Sequence, residues 1–213
     1  MSVAAKICGL SSEPGVEVAI AGGAAYVGFV FYPPSPRAVS PARASELCTL
    51  VPATVKRVAL FVDADDAALA AVLDAAPIDI LQFHGAESPE RVAEAKRRFG
   101  CQVMKAISIA GPDDLAVAGR YEDAADLLLF DAKPPPGATR PGGNGLAFDW
   151  QLIAGREWRL PWMLAGGLTV ALLPEAVRVS GARIVDVSSD VESAPGQKDV
   201  AKIRAFLEVA RGL

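Results

Sequence analysis

Histidine is nearly missing from this chain of 213 residues: His84 stands alone. A metal site built on several imidazoles is therefore excluded. Cysteine is scarce as well. Cys8, Cys48 and Cys101 are odd in number and irregularly spaced, which makes no disulfide framework. No run of like charge occurs, and 21 basic against 25 acidic residues leave a net charge of −4. That balance argues against nucleic acid or an anionic membrane as partner. The uncharged stretch from Val18 to Pro36 is no membrane span, because Gly22-Gly23, Gly28 and Pro33-Pro34 break it into a helix end, a strand and a loop. The first apolar run starts at Val3, leaving no room for a basic leader and its cleavage site, so a cytoplasmic location is expected.

What the chain has is a rhythm. Eight short apolar runs punctuate it: Val3–Cys8, Tyr26–Phe31, Arg57–Val62, Ile78–Phe83, Gln102–Ile107, Asp126–Phe130, Trp162–Ala165 and Arg183–Val187. Stretches of helical periodicity separate them. Eight βα units in succession predict a parallel sheet closed on itself, a single (β/α)8 TIM barrel spanning residues 1–213. The length suits one such domain, since about 200 residues is near the lower limit of this fold. Cys8 and Cys101 would then lie at opposite ends of the barrel, too far apart to bridge. Cys48 and Cys101 read as small buried hydrophobes.

Helix signals agree with this reading. Ser40-Pro41 offers a cap and a first-turn proline ahead of Ala44, Leu47, Cys48 and Val51 on one face. Asp65 precedes Leu69, Val72, Leu73 and Ala76 at helical spacing, and Ser88-Pro89 precedes Val92, Ala95 and Phe99. The last helix carries Val200, Ile203 and Leu207. A helix after the seventh run must begin close to Pro174. Two segments read as functional loops: Tyr32–Arg37 after the second run, and Lys133–Gly145 after the sixth. The second is stiff in its prolines and free at its glycines, which suits a lid over substrate.

Barrels of this kind carry their active sites at the C-terminal ends of the strands. Lys6 and Cys8 share a strand face and point into the barrel if either does. A lysine there would favour the thiolate of Cys8 and bring it toward general-base use, although Cys8 taken alone reads rather as a small apolar packing group. Asp131 closes the run Leu127–Phe130, where a partly dehydrated carboxyl suits a general acid; a structural aspartate is the alternative. The first and sixth strands stand three places apart in a ring of eight, so Cys8 and Asp131 would face each other across the mouth. One base and one acid flanking a ligand suit isomerisation better than hydrolysis or redox work. Gly166-Gly167 and Ser188-Ser189 occupy the usual phosphate position of such barrels, where N–H groups and hydroxyls wrap a dianion without metal. Arg37 can hold a carboxylate bidentately, while Gln82 and His84 share a face that can line the pocket.

Taken together, these segments resemble the phosphoribosylanthranilate isomerase family. The resemblance rests on Lys6-Ile7-Cys8-Gly9, Gly28–Tyr32 with Ser35-Pro36-Arg37, and Leu81–Gly85. It continues through Asp131, Gly142–Gly145 with Phe148-Asp149-Trp150, Leu164–Leu168, and Asp186–Ser189 with Val191-Glu192. It implies a cofactor-free Amadori rearrangement of N-(phosphoribosyl)anthranilate, a step of tryptophan synthesis, by a monomer or homodimer. Asp131 would protonate the furanose oxygen and Cys8 would remove the proton from the adjacent sugar carbon. Arg37, Gln82, His84 and Asp186 would contact substrate, and Gly166, Gly167, Ser188 and Ser189 its phosphate. Asp190 departs from the family's usual glycine; the expectation is a tolerated left-handed turn with its carboxylate toward solvent. Phe83, where leucine is usual, reads as a packing change. A related isomerase of histidine synthesis uses an aspartate where Cys8 stands, and pentose epimerases need more than one histidine. A barrel that binds without turnover is the remaining rival.

Overall fold

The computed structural model describes residues 3–134, 137, 142 and 145–213. Its frame is a closed ring of eight parallel strands in sequence order. These are β1 (Ala4–Cys8), β2 (Tyr26–Val30), β3 (Lys56–Phe61), β4 (Ile80–Phe83), β5 (Gln102–Ile109), β6 (Leu127–Ala132), β7 (Trp162–Leu164) and β8 (Ile184–Val187). All eight runs expected from the sequence become strands, with ends moved by one or two residues. The sixth moves furthest in consequence. Its pairing with β5 carries on through Ser108–Asp131 and Ile109–Ala132, so Asp131 lies inside the strand rather than just beyond it.

Strand residues alternate between two packing layers. Ala5, Ile7, Val27, Phe29, Ala59, Phe61, Leu81, Phe83, Leu128 and Phe130 face outward into the large core shared with the helices. Val58, Ile80, Met104, Leu127, Leu129 and Met163 face inward and fill the lower barrel. Above them sit Cys8, Val30 and Leu60. The interior is thus packed shut below and polar above, which leaves only the upper mouth for chemistry.

The helices are α1 (Glu13–Ala21), α2 (Pro41–Cys48), α3 (Asp66–Ala75), α4 (Pro89–Phe99), α5 (Pro112–Gly119), α6 (Leu173–Ser180) and α7 (Val200–Gly212). The expected caps form: Ser40, Asp65 and Ser88 each accept a hydrogen bond from the N–H three residues on. Pro174 is the second residue of α6, where its missing N–H costs nothing. In α7 the buried stripe is Ile203, Phe206, Leu207 and Ala210, whereas Val200 at the first turn is exposed. One expectation fails. After β6 no α-helix forms among the described residues before β7; a single 3-10 turn, Trp150–Leu152, stands in its place. Asp149 caps that turn through the N–H of Gln151, and Gly155 in the left-handed region follows it. After β8 a short hairpin, β9 (Glu192–Ala194) and β10 (Gln197–Lys198), precedes α7. No helix among the described residues is long and apolar enough to cross a membrane. Of the segment read as a lid, residues 135–136, 138–141 and 143–144 lie outside the described residues.

Candidate active site

A cleft of about 800 Å³, counted out to open solvent, occupies the C-terminal mouth of the barrel. Cys8, Arg37, His84, Asp131, Asp186, Gly166, Gly167, Ser188 and Ser189 all line it. Apolar walls come from Val30, Leu60, Val62, Ala165 and Leu168. Of the ten candidate residues only Gln82 is absent from the lining. It lies inside the barrel one layer down, fully buried, with its amide Nε2 3.2 Å from Nδ1 of His84. The expectation that Gln82 contacts ligand is therefore corrected: inward-facing residues two apart on one strand stack in successive layers, and His84 takes the upper one.

Cys8 and Asp131 project from β1 and β6, three places apart in the ring, into this one cleft. The thiol has room because its neighbour on β2 is Gly28. A Cβ there would come within 3.1 Å of Sγ of Cys8 and 3.3 Å of Cε of Lys6. Asp131 is anchored by its own backbone, since the N–H of Ala132 donates to Oδ1 at 2.8 Å. Its other oxygen, Oδ2, lies 3.2 Å from Nε2 of His84, off the line of a hydrogen bond. Below the loop that carries His84, Lys105 donates to the carbonyl of Gly85 at 2.6 Å and to Glu87 at 2.8 Å, fixing the turn.

Beneath Cys8, Lys6 is fully buried and pairs with Asp186 at 2.9 Å. Burial would lower its pKa, but the carboxylate of Asp186 and the nearby thiol hold it above the usual lysine value. The effect on Cys8 runs against expectation. Burial pushes the thiol up, Lys6 pulls it down, and Asp186 pushes it up again, leaving a net rise. The ammonium is shared with a carboxylate, so it offsets only part of the desolvation. Cys48, also buried, is raised to about 11, because burial outweighs the pull of Arg57, as befits an inert packing thiol.

Arg37 departs from expectation too. Its fork is already occupied: Nε donates to Glu192 at 2.6 Å and Nη2 at 2.9 Å. The Nη1–Nη2 edge, a second pair of parallel N–H donors, is the part of the guanidinium that Glu192 does not take up. At the opposite wall Gly166 and Gly167 both adopt positive φ, 82° and 61°. A Cβ on Gly166 would strike the backbone nitrogen of Ala132 at 2.6 Å, so the turn needs glycine for closeness as well as for conformation. Ser188 turns its hydroxyl onto the carbonyl of Cys8 at 3.1 Å, which leaves Ser189 and backbone N–H groups as the donors nearest an anion. Asp190 does not line the cleft and lacks the left-handed backbone expected of it; among the described residues Asp63 is the one non-glycine with positive φ.

Two participants escaped the sequence reading. Glu192 appeared there only as part of a motif, and Lys198 not at all. The one available signal for Lys198 was its place directly before Asp199, the cap of α7.

A closed parallel barrel with a thiol, a carboxyl and a glycine–serine cradle around one mouth is an enzyme of the (β/α)8 class that works on small anionic molecules. The family model for N-(5'-phosphoribosyl)anthranilate (PRA) isomerase matches residues 5–209, and the chain belongs to this family. Among curated relatives, the N-(5'-phosphoribosyl)anthranilate isomerase of Paramagnetospirillum magneticum is 57% identical over 212 residues, 100% of this chain and 99% of that protein. Its counterpart from Cereibacter sphaeroides is 58% identical, covering 98% and 99%. The crystal structure of phosphoribosyl anthranilate isomerase from Thermotoga maritima superposes with a TM-score of 0.89 at 33% identity, covering 99% of this chain and 100% of that one. A further isomerase structure, in complex with reduced 1-(o-carboxyphenylamino)-1-deoxyribulose 5-phosphate, superposes at 0.86 with 32% identity and covers the same shares.

Proposed function

We propose that this chain catalyses the cofactor-independent isomerisation of N-(5-phosphoribosyl)anthranilate to 1-(2-carboxyphenylamino)-1-deoxyribulose 5-phosphate in tryptophan biosynthesis. Asp131 gives its proton to the furanose ring oxygen as the bond from that oxygen to C1 breaks, and the nitrogen lone pair forms the protonated imine. The thiolate of Cys8 then takes the proton from C2. The released electron pair makes the C1–C2 double bond and neutralises the nitrogen, and the resulting enol amine tautomerises to the ketose. Gly166, Gly167, Ser188 and Ser189 hold the phosphate, chiefly through N–H groups. Arg37 meets the anthranilate carboxylate, and His84 and Asp186 line the sugar's path.

The observation that carries this reading is the placement of Cys8 and Asp131 on opposite walls of one cleft that also contains the glycine–serine cradle. An acid and a base on either side of one sugar can act on neighbouring atoms without the substrate turning over. A cytoplasmic enzyme fits its three free thiols, one of which must stay reduced to act. We place it there as a single domain over residues 1–213, a monomer or homodimer whose ligand is a small phosphosugar. Support for both assembly states comes from a relative described as monomers made from a dimeric isomerase.

The test is rescue of cells unable to perform this step, alongside turnover of the substrate by the purified protein. The parent rescues; Cys8→Ala lowers kcat at least ~100-fold, the scale of a positioned acid or base. Asp131→Asn loses turnover while keeping affinity for a reduced product analogue. Equal rescue by parent and Cys8→Ala would remove the thiol from the mechanism.

A further inference from the structure

In the proposed function the cleft has two anion-binding arms, Ser188-Ser189 and Arg37, and a single buried network connects them. Glu192 starts the β9–β10 hairpin and Lys198 ends it. The ammonium of Lys198 is almost wholly enclosed, its side chain 1% exposed. It donates to the backbone carbonyl of Ser188 at 2.7 Å, lies 3.3 Å from the Ser188 hydroxyl, and donates to Oε1 of Glu192 at 2.9 Å. That same carboxylate receives both Arg37 donors, and its Oε2 also accepts the N–H of Gly196 at 3.2 Å. The chain of contacts therefore runs from the carbonyl of Cys8 through Ser188, Lys198 and Glu192 to Arg37. It joins the loop after β8 to the loop after β2.

Nothing in the proposed chemistry uses Lys198, and it does not line the cleft. Yet an ammonium is expensive to bury unless each of its protons finds an acceptor. A methionine would fill the same space without that cost. What the ammonium adds is three acceptors on Ser188 and Glu192, both after β8, and through Glu192 a link to Arg37 on the loop after β2. Both loops bind substrate in the function proposed above, on which this inference rests. We propose that Lys198 is a positioning residue that fixes the distance between the phosphate arm at Ser188-Ser189 and the carboxylate arm at Arg37. Its partner in this is Glu192, which locks the guanidinium fork and leaves one edge for ligand. The hairpin is thereby a spacer matched to a substrate with an anion at each end.

The experiment compares Lys198→Met with the parent enzyme in steady-state kinetics. Two fragment inhibitors are added, anthranilate for one arm and ribose 5-phosphate for the other. Loss of a buried charge partner shows mainly in binding, so KM should rise at least ~10-fold while kcat stays within about threefold. Both fragments should weaken together. If only ribose 5-phosphate weakens, or if KM is unchanged in a folded variant, the coupling role is overturned. Should Lys198→Met fail to fold, Glu192→Gln decides the matter. It keeps the volume and removes the shared charge, so both fragments again weaken, whereas weakening of anthranilate alone overturns the proposal. A parent enzyme that does not turn over N-(5-phosphoribosyl)anthranilate would defeat the functional reading itself. A parent that turns it over beside an unaltered Lys198→Met defeats only this inference.

Discussion

Replacing Lys6 by methionine separates what the buried ion pair does for stability from what it does for the thiol. The Lys6–Asp186 pair is 2.9 Å apart, with the lysine side chain fully enclosed and the aspartate 9% exposed. At an effective dielectric of ~20 the attraction is about 6 kcal/mol before desolvation. Desolvating both ions offsets most of that, so the intact pair contributes little net stability. Removing one partner is different, because the other charge stays buried alone, and the expected cost is roughly 3–5 kcal/mol. For a chain of this size that corresponds to a fall in Tm on the order of 10 °C. Asp186→Asn should cost a similar amount by stranding the ammonium. The double variant carries neither charge and should recover most of the loss, giving a coupling energy of at least ~2 kcal/mol in urea unfolding. Activity should not recover with it: Lys6 is the stronger of the two cations, with Lys198, that draw the Cys8 thiol down against burial, and both Lys6 variants lose it. Losses that simply add in the double variant would refute the argument, as would a Lys6→Met enzyme with the parent's kcat.

Two further predictions concern protons. Because burial holds the Cys8 thiol above its ordinary range, alkylation of Cys8 followed by peptide mass spectrometry should keep accelerating beyond about pH 8.5, the usual thiol value. A plateau reached by pH 8 would mean that Lys6 wins after all. The Glu192 carboxyl, by contrast, sits below its ordinary range: burial opposes this, and Arg37 and Lys198 outweigh it. A depressed carboxyl stabilises the fold fully above the unfolded value of about 4.3, and that contribution fades as pH falls through the lower folded value. Melting temperature should therefore decline more gently on acidification for Glu192→Gln than for the parent; parallel declines would show that the carboxylate gains nothing from its cations.

How much of this could be read from the chain depends on whether a feature is periodic or pairwise. Strands and caps are periodic or local, so Val3–Cys8 and Ser40-Pro41 already announce β1 and α2. The ring order then sets Cys8 against Asp131, because eight parallel strands in sequence leave no other neighbours for β1 than β2 and β8. Pairwise facts were out of reach. Nothing around Arg37 says that a carboxylate 155 positions later will occupy its fork. Alternation puts Gln82 and His84 on one face but is silent about depth, and depth decides which touches ligand. The missing helix after β6 failed for a local reason: a stretch dense in proline and glycine supports a turn capped by Asp149, not an apolar stripe. The direction of the Cys8 shift needed three buried groups together. A lysine two residues away suggests activation, and burial of the thiol, with Asp186 added to it, reverses that.

Charge at the mouth shows why so much of the polar interior goes to side chains that never meet substrate in the proposed reaction. The chain as a whole carries a net charge of −4, which taken alone would repel a ligand with a phosphate at one end and a carboxylate at the other. Around the cleft that excess of negative charge disappears. Lys6, Arg37 and Lys198 are three buried cations against the three carboxyl groups of Asp131, Asp186 and Glu192. These cations are enclosed in a low-dielectric wall, where each acts on its surroundings with little screening. Free cations would fold onto whatever carboxylate came near, including the catalytic Asp131. Pairing Lys6 with Asp186, and both Arg37 and Lys198 with Glu192, prevents that collapse and leaves Asp131 beside the imidazole of His84 instead of an ammonium.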